Sequence, residues 1–141
     1  MVGKEVVTGR QHYLNFEVPT TWKMWEAAGM KWDSTMSYAG VLGFRCGVCY
    51  PFPVFDIFSR KKLNVYEKPL ILMEATLSKM YLNFSLKEAT EKVNDLMNEV
   101  RKYDGEFVFL WHNSSVHFRM FGKYNPILFD LYKENLKEKH K

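Results

Sequence analysis

Side chains that can transfer or hold protons stand in this sequence where strands are expected to end. His112 follows the apolar run 107–111, Asp33 follows the short run 30–32, and Arg10 comes soon after the apolar pair 6–7. Imidazole exchanges a proton near neutral pH, and a carboxylate close by favours its charged form. Each residue also has an ordinary explanation: a histidine satisfied by backbone groups, an aspartate capping a loop, and a solvated arginine.

The elements that must position these residues follow a strand, helix, strand pattern. A strand within 4–16 precedes a helix over 20–28, which opens after Pro19 and stops before Gly29, and a strand over 30–33 follows. This pattern is the unit of parallel sheets. Ligands of parallel β/α folds bind beyond the carboxyl ends of the strands, so polar residues there are candidate site residues.

The rest of the chain is predicted to contain a long loop, a hairpin, two more strands and two more helices. A loop of that length in a compact domain is usually functional. A capping box, Ser85 with Glu88, begins the next helix, and Asn125 with Pro126 begins the last one. The predicted elements are a loop over 37–53, a hairpin with strands in 54–58 and 63–66, strands over 69–73 and 106–111, and helices from 85 and over 127–139.

Composition limits the class of protein. With 141 residues, 47% hydrophobic and 26% charged, the chain is predicted to be one folded domain, 1–141, too short for a complete eight-fold barrel of about 250 residues. A net charge of +4 does not suggest a nucleic-acid binder, and the basic run 60–62 is expected to be a solvated turn. Without a membrane span or signal-peptide pattern, the expected location is cytoplasmic.

Cys46 and Cys49 form a C-x-x-C pattern, which permits zinc binding or thiol chemistry. A structural zinc site needs four ligands, and of the four histidines only His112 and His117 have a finger-like spacing. Two free cysteines are the simpler expectation for a cytosolic protein. A thiol-dependent activity is kept as a third hypothesis.

Three segments together resemble the polysaccharide deacetylase family, metal-dependent carbohydrate esterases with a distorted β/α barrel. The segment 9–13, GRQHY, is similar to the family's Arg-x-Pro-Tyr strand end, and 28–35, AGMKWDST, is similar to its aspartate-bearing strand. The segment 110–112, LWH, is similar to its Leu-x-His motif. Segments 43–53 and 69–74 also resemble a bacterial subgroup of these proteins that is often linked to surface-polysaccharide genes.

The resemblance implies a role for each matching residue. His112 is implied as the general acid, Asp33 as the carboxylate that tunes its imidazolium, and Arg10 as the residue that orients a catalytic carboxylate. Leu110 is implied as the wall of a pocket for the acetyl methyl group. The substrate-binding residues implied in this way are Leu110, Trp111, Tyr13 and Arg45.

Two motifs of the family have no counterpart in this sequence. They are the Asp-Asp strand end that supplies the base and a metal ligand, and the His-x-x-x-His pair that supplies two more ligands. The expected fold is therefore α/β, a partial distorted β/α barrel that lacks the N-terminal strands. No cofactor is expected on this chain alone, and a divalent ion such as zinc is expected only where the missing half is supplied.

The expected function is that of a truncated or split protein related to hydrolases that remove acetyl groups from N- or O-acetylated sugars. It is expected to be inactive alone, with an acetylated saccharide as ligand and an upstream polypeptide or a second copy as partner. The alternative is a noncatalytic saccharide-binding or structural module in which Trp111, Tyr50 and Phe52 face sugar rings.

Overall fold

A computed structural model describes residues 3–78, 80–116 and 124–138 of the chain. Within them the fold is mixed α/β, with a four-stranded sheet in the order β1-β2-β4-β3 and a two-stranded sheet of β5 and β6. The strands are β1 (Thr8–Gly9), β2 (Trp32–Asp33), β3 (Phe52–Asp56), β4 (Lys61–Glu67), β5 (Leu72–Met73) and β6 (Phe109–Leu110).

Four α-helices accompany the two sheets in the described residues, together with two short 3-10 turns. The helices are α1 (Thr20–Ala27), α2 (Glu74–Leu77), α3 (Leu86–Lys102) and α4 (Asn125–Glu138), and the turns are His12–Leu14 and Asn113–Val116. The α/β class predicted from the sequence is confirmed. The described strands form no closed barrel, and the partial barrel remains a prediction.

The first sheet aligns the ends of three parallel strands. β1 pairs with β2 and β2 pairs with β4, so that Gly9, Asp33 and Glu67 stand side by side in register. Successive side chains of a strand alternate between its faces, so residues in register share a face. The predicted strand, helix, strand unit is confirmed, and the residues that follow β1 and β2 meet at one edge of the sheet.

The hairpin predicted within 54–66 is confirmed as β3 and β4, which run antiparallel and place β3 at the edge of the sheet. Val54, Leu63 and Val65 face the core with Trp22 of α1. The long irregular segment is also confirmed, because no helix or strand occurs between β2 and β3.

The second sheet pairs two shorter strands than the sequence predicts. β5 and β6 are parallel, with Leu72 opposite Phe109 and Met73 opposite Leu110. Only two residues of each predicted strand form the ladder, although Ile71 N also donates to Val108 O at 2.9 Å. The register places the residues after Met73 beside those after Leu110.

Helix α3 begins at the predicted capping box, in which Glu88 N donates to Ser85 Oγ at 3.2 Å and Ser85 N donates to Glu88 Oε2 at 2.8 Å. One face of the helix is buried as its spacing predicts, while Leu86 in the first turn is 45% exposed. No helix among the described residues is both long and apolar enough to cross a membrane. The buried residues of α3 are Ala89, Val93, Met97 and Val100.

Gly9 is required by the close approach of α1 to β1. A Cβ atom at position 9 would overlap the ring of Trp25, whereas a Cβ at Gly40 would meet the Tyr81 ring at an ordinary 3.4 Å. We expect Gly9→Ala to lower the free energy of unfolding by about 1–3 kcal/mol through overpacking. Urea denaturation tests this, with Gly40→Ala as the matched variant that changes stability less; equal effects of the two would contradict the close approach.

Candidate functional site

A cavity of about 460 Å³ opens where residues that follow β1 meet the ends of β5 and β6. Its walls are formed by 10–14 on one side and by residues around His112 on the other, with Met73 and Ala75 between them. The cavity therefore lies at the carboxyl ends of strands from both sheets, which is where ligands of parallel β/α folds bind.

The carboxylate of Glu74 organises one side of this cavity. It is only 1% exposed, and its Oε1 is 2.6 Å from His112 Nδ1. The same oxygen accepts from His112 N at 3.1 Å and from Ser115 Oγ at 2.6 Å. Three donors from the chain that follows β6 thus converge on one oxygen supplied by the start of α2.

This contact fixes which nitrogen of His112 faces a ligand. Because Glu74 Oε1 already accepts from His112 N and Ser115 Oγ, we expect Nδ1 to donate to it as well. The side chain of His112 is 45% exposed and lines the cavity, which leaves Nε2 for a ligand. Because Ser115 Oγ is buried and donates to Glu74, its hydroxyl is not presented as a nucleophile.

Arg10 forms the opposite wall and is tied to the loop after β2. Its Nε donates to Ser34 O at 2.6 Å and its Nη2 donates to Ser34 Oγ at 2.9 Å. Burial lowers the pKa of Arg10, and the charges of Asp33 and Glu67 oppose that effect. A guanidinium held in this way is a fixed donor at the cavity wall.

Behind Arg10 lie two buried carboxyl groups, Asp33 and Glu67, paired in register on neighbouring strands. Glu67 accepts from Trp22 Nε1 at 3.0 Å and from Met36 N at 2.9 Å, and Asp33 accepts from Thr35 Oγ1. Burial raises the pKa of Asp33. Burial, aided by the charge of Asp33, raises the pKa of Glu67 to about 7.

Four of the residues selected from the sequence line the cavity together: Arg10, Tyr13, Leu110 and His112. They come from the two segments that follow β1 and end β6. The two segments meet at the cavity although they follow strands of different sheets.

The other three residues selected from the sequence, Asp33, Trp111 and Arg45, do not line the cavity. Asp33 is fully buried behind Arg10. Trp111 is partly buried against the core and contacts the exposed ring of Phe129, with ring centroids 4.7 Å apart. Arg45 donates to Ser37 O at 2.7 Å. The expected contact of Asp33 with His112 is made by Glu74 instead, because β5 is the strand that pairs with β6 while β2 lies in the other sheet.

Sequence reasoning did not select Glu74, Glu67 or Ser115. A signal for Glu74 was present, because the apolar run 69–73 ends at it just as 107–111 ends at His112. The alternation Leu63, Val65, Glu67 in β4 likewise indicates an inward-facing carboxyl group. No comparable pattern marks Ser115.

The described residues do not fit the divalent ion that the resemblance implies, since no three His, Cys, Asp or Glu side chains among them are grouped to hold a metal. The pair of Cys46 and Cys49 does not favour thiol chemistry either. Burial, aided by Glu67, raises the pKa of Cys46 to about 12, and Cys49 is buried. His117, the possible zinc partner of His112, lies outside the described residues.

No family model, no curated protein and no solved structure matches this chain. A function therefore has to be inferred from the cavity, and above all from Arg10, Glu74 and His112 around it.

The raised pKa of Glu67 leads us to expect an unusual dependence of stability on pH. Its pKa rises from an ordinary value of 4.5 to about 7 in the fold, so between these values the folded state keeps a proton that the unfolded state has lost. The contribution of Glu67 to stability is then largest on the acid side and falls as the pH rises from about 4.5 through about 7, by an amount on the order of 3 kcal/mol. The raised pKa of Asp33 adds a change of the same sign.

Urea denaturation across this pH range measures that fall. We expect Glu67→Gln to flatten it, although the variant is less stable at acid pH because an amide cannot accept from both Trp22 and Met36. Glu91→Gln on the exposed face of α3 is the matched control and keeps the slope. A slope that persists unchanged in Glu67→Gln would contradict the assignment.

Proposed function

We propose that the cavity binds an acetylated saccharide and that His112 is the proton donor on the acid side of a polysaccharide deacetylase-type site. The observation that supports this proposal is the meeting of Arg10, Tyr13, Leu110 and His112 around one cavity. These four are among the seven residues that the motif resemblance implies, and they come from two distant segments of the chain.

The size and chemistry of the cavity suit such a ligand. About 460 Å³ lies within the range of roughly 300–1,000 Å³ that is usual for small-molecule sites. Leu110, Met73 and Ala75 offer an apolar surface for an acetyl methyl group. Arg10 and His112 offer N–H donors for the carbonyl and hydroxyl oxygens of the sugar.

Glu74 enables His112 to act as a proton donor. When the ring is protonated, its Nδ1–H remains on the Glu74 carboxylate and its Nε2–H is directed to the ligand. A proton passed from Nε2 to the departing nitrogen or oxygen leaves a neutral ring that is still held by Glu74. Glu74 itself is buried and acts by positioning His112 and balancing its charge.

Hydrolysis needs an attacking water and a group that activates it. The described residues offer no grouping for the family's metal ion, so we derive no step through a metal. We propose that the chain binds the acetylated sugar without releasing acetate by itself. Catalysis then depends on a partner, an upstream polypeptide or a second copy, that supplies the activating groups.

A purely saccharide-binding function is the second candidate, and one observation favours it. Tyr13 is 88% exposed at the rim of the cavity and stacks on His12 with ring centroids 4.3 Å apart. Its φ of 59° and that of Leu14, 52°, are left-handed, which is costly for residues other than glycine. Tyr13 offers an exposed ring to a sugar at the cavity, whereas Trp111 is partly buried and does not line the cavity.

Calorimetric titration with an N-acetylglucosamine tetramer tests binding, with the glucosamine tetramer as the matched ligand that lacks acetyl groups. We expect the acetylated tetramer to bind more tightly, and His112→Ala to weaken it by roughly tenfold or more, as expected for loss of a hydrogen bond to a charged group. An O-acetylated xylan oligomer tests the ester class in the same way.

Paired tyrosine variants separate the two candidate functions. Tyr13→Ala removes an exposed ring that lines the cavity. Tyr50→Ala removes a half-exposed ring that does not line it. Binding that survives His112→Ala and fails in Tyr13→Ala supports the purely binding module. Equal binding of both tetramers by all variants would overturn the proposed site.

We expect no acetate release by the purified chain from the acetylated tetramer, with or without added zinc, because the described residues lack the activating groups. Enzymatic acetate detection over hours measures it. Release that His112→Ala leaves untouched would contradict the role of His112.

A further inference from the structure

The tip of the β3–β4 hairpin combines exposed apolar side chains with a cluster of positive charge. Ile57 and Phe58 in the turn are 57% and 78% exposed, and after Ser59 come the exposed cations Arg60, Lys61 and Lys62. Large apolar side chains held in water next to one another mark an interaction surface more often than single exposed ones.

The turn is built to hold these side chains out. The carboxylate of Asp56 is buried, and it accepts from Phe58 N at 2.9 Å and from Ser59 Oγ at 2.6 Å. Lys23 of α1 lies 3.5 Å from the same carboxylate, and Arg60 completes the turn in a left-handed conformation with φ of 54°. The exposure of Phe58 therefore belongs to an ordered turn that is tied to the body of the sheet.

The charges of the tip are not neutralised by their neighbours. None of the three cations forms an ion pair with another described residue, and Lys62 lies over the ring of Tyr66 with its Nζ 5.7 Å from the centroid. Two carboxylates at the hairpin have other partners: Asp56 interacts with the turn and Lys23, and Glu26 accepts from Asn64 N. An anionic partner is the electrostatic complement of this surface.

We propose that the hairpin tip docks on an anionic phospholipid surface, with Ile57 and Phe58 entering the interfacial layer and Arg60, Lys61 and Lys62 lying on the headgroups. A convex tip that pairs an aliphatic with an aromatic residue suits a lipid interface, where apolar side chains gain from burial and each cation gains from the negative surface. A nucleic acid would use the cations and the phenyl ring but would leave Ile57 without a role.

The hairpin tip and the cavity lie at opposite ends of the first sheet, so docking of the tip on lipid would leave the cavity open to solvent. Asp33 and Glu67 mark the cavity end of the first sheet, and β4 runs from Lys61 at the tip to Glu67 at that end. At about 3.3 Å per residue the strand separates the two ends by roughly 20 Å. Docking through the tip therefore leaves the carboxyl ends of the strands away from the lipid.

Vesicle co-sedimentation of the full chain tests the proposal. We expect binding to vesicles of phosphatidylcholine with phosphatidylserine and not to phosphatidylcholine alone, and weakening by added salt. The triple variant Arg60→Gln, Lys61→Gln, Lys62→Gln is expected to lower the partition coefficient by roughly tenfold or more. The double variant Ile57→Ser, Phe58→Ser is expected to lower it similarly, even at low salt.

Matched variants elsewhere on the chain serve as controls. Lys87→Gln, Lys92→Gln, Lys102→Gln removes the same charge from exposed positions of α3, and Val6→Ser, Val41→Ser removes two exposed apolar side chains outside the hairpin. Both controls are expected to keep lipid binding. Thermal unfolding of every variant checks that the fold is retained. We expect it to be retained, because the replaced side chains are exposed.

Three results would overturn the proposal: no vesicle binding by the unaltered chain, equal loss in the control variants, or tighter binding of single-stranded RNA than of vesicles at the same salt. The last result would assign the tip to nucleic acid. None of these outcomes depends on the cavity, so the two proposals fail or stand separately.

Discussion

One buried carboxylate, that of Glu74, holds the candidate site together. It stands at the junction of β5 and α2, and it accepts the backbone N–H and ring Nδ1 of His112 and the hydroxyl of Ser115. A carboxyl group this buried needs hydrogen-bond partners, because a polar group removed from water without them is destabilising. The need to satisfy Glu74 therefore fixes both the path of the chain after β6 and the orientation of the imidazole that faces the cavity.

The local sequence pattern predicted the helices and strands better than it predicted which strands lie side by side. The helix after Pro19, the hairpin and the capping box of α3 follow from apolar spacing and end signals that act over a few residues. Which strand lies beside which is set by long-range packing, and this decided that Glu74 rather than Asp33 reaches His112. The same limit applies to Trp111, whose position beside a candidate acid gave no sign that its ring is packed in the core.

The two ends of the first sheet carry different chemistry. At the cavity end, Asp33 and Glu67 are buried in register behind Arg10, whose guanidinium is held by Ser34. At the other end, the turn after β3 presents apolar and basic side chains to solvent. Buried carboxyl groups and exposed apolar side chains are thus concentrated at the two places where we propose that the protein binds a ligand or a lipid surface.

The protonation of the His112 ring tests the central claim most directly. Long-range ¹H–¹⁵N NMR spectra of the neutral ring distinguish a proton on Nδ1 from one on Nε2. The contact with Glu74 predicts the Nδ1–H form, with Nε2 as the nitrogen whose resonance moves when the N-acetylglucosamine tetramer is added. A neutral ring protonated on Nε2, or a spectrum that Glu74→Gln leaves unchanged, would contradict the claim that Glu74 presents His112 to the cavity.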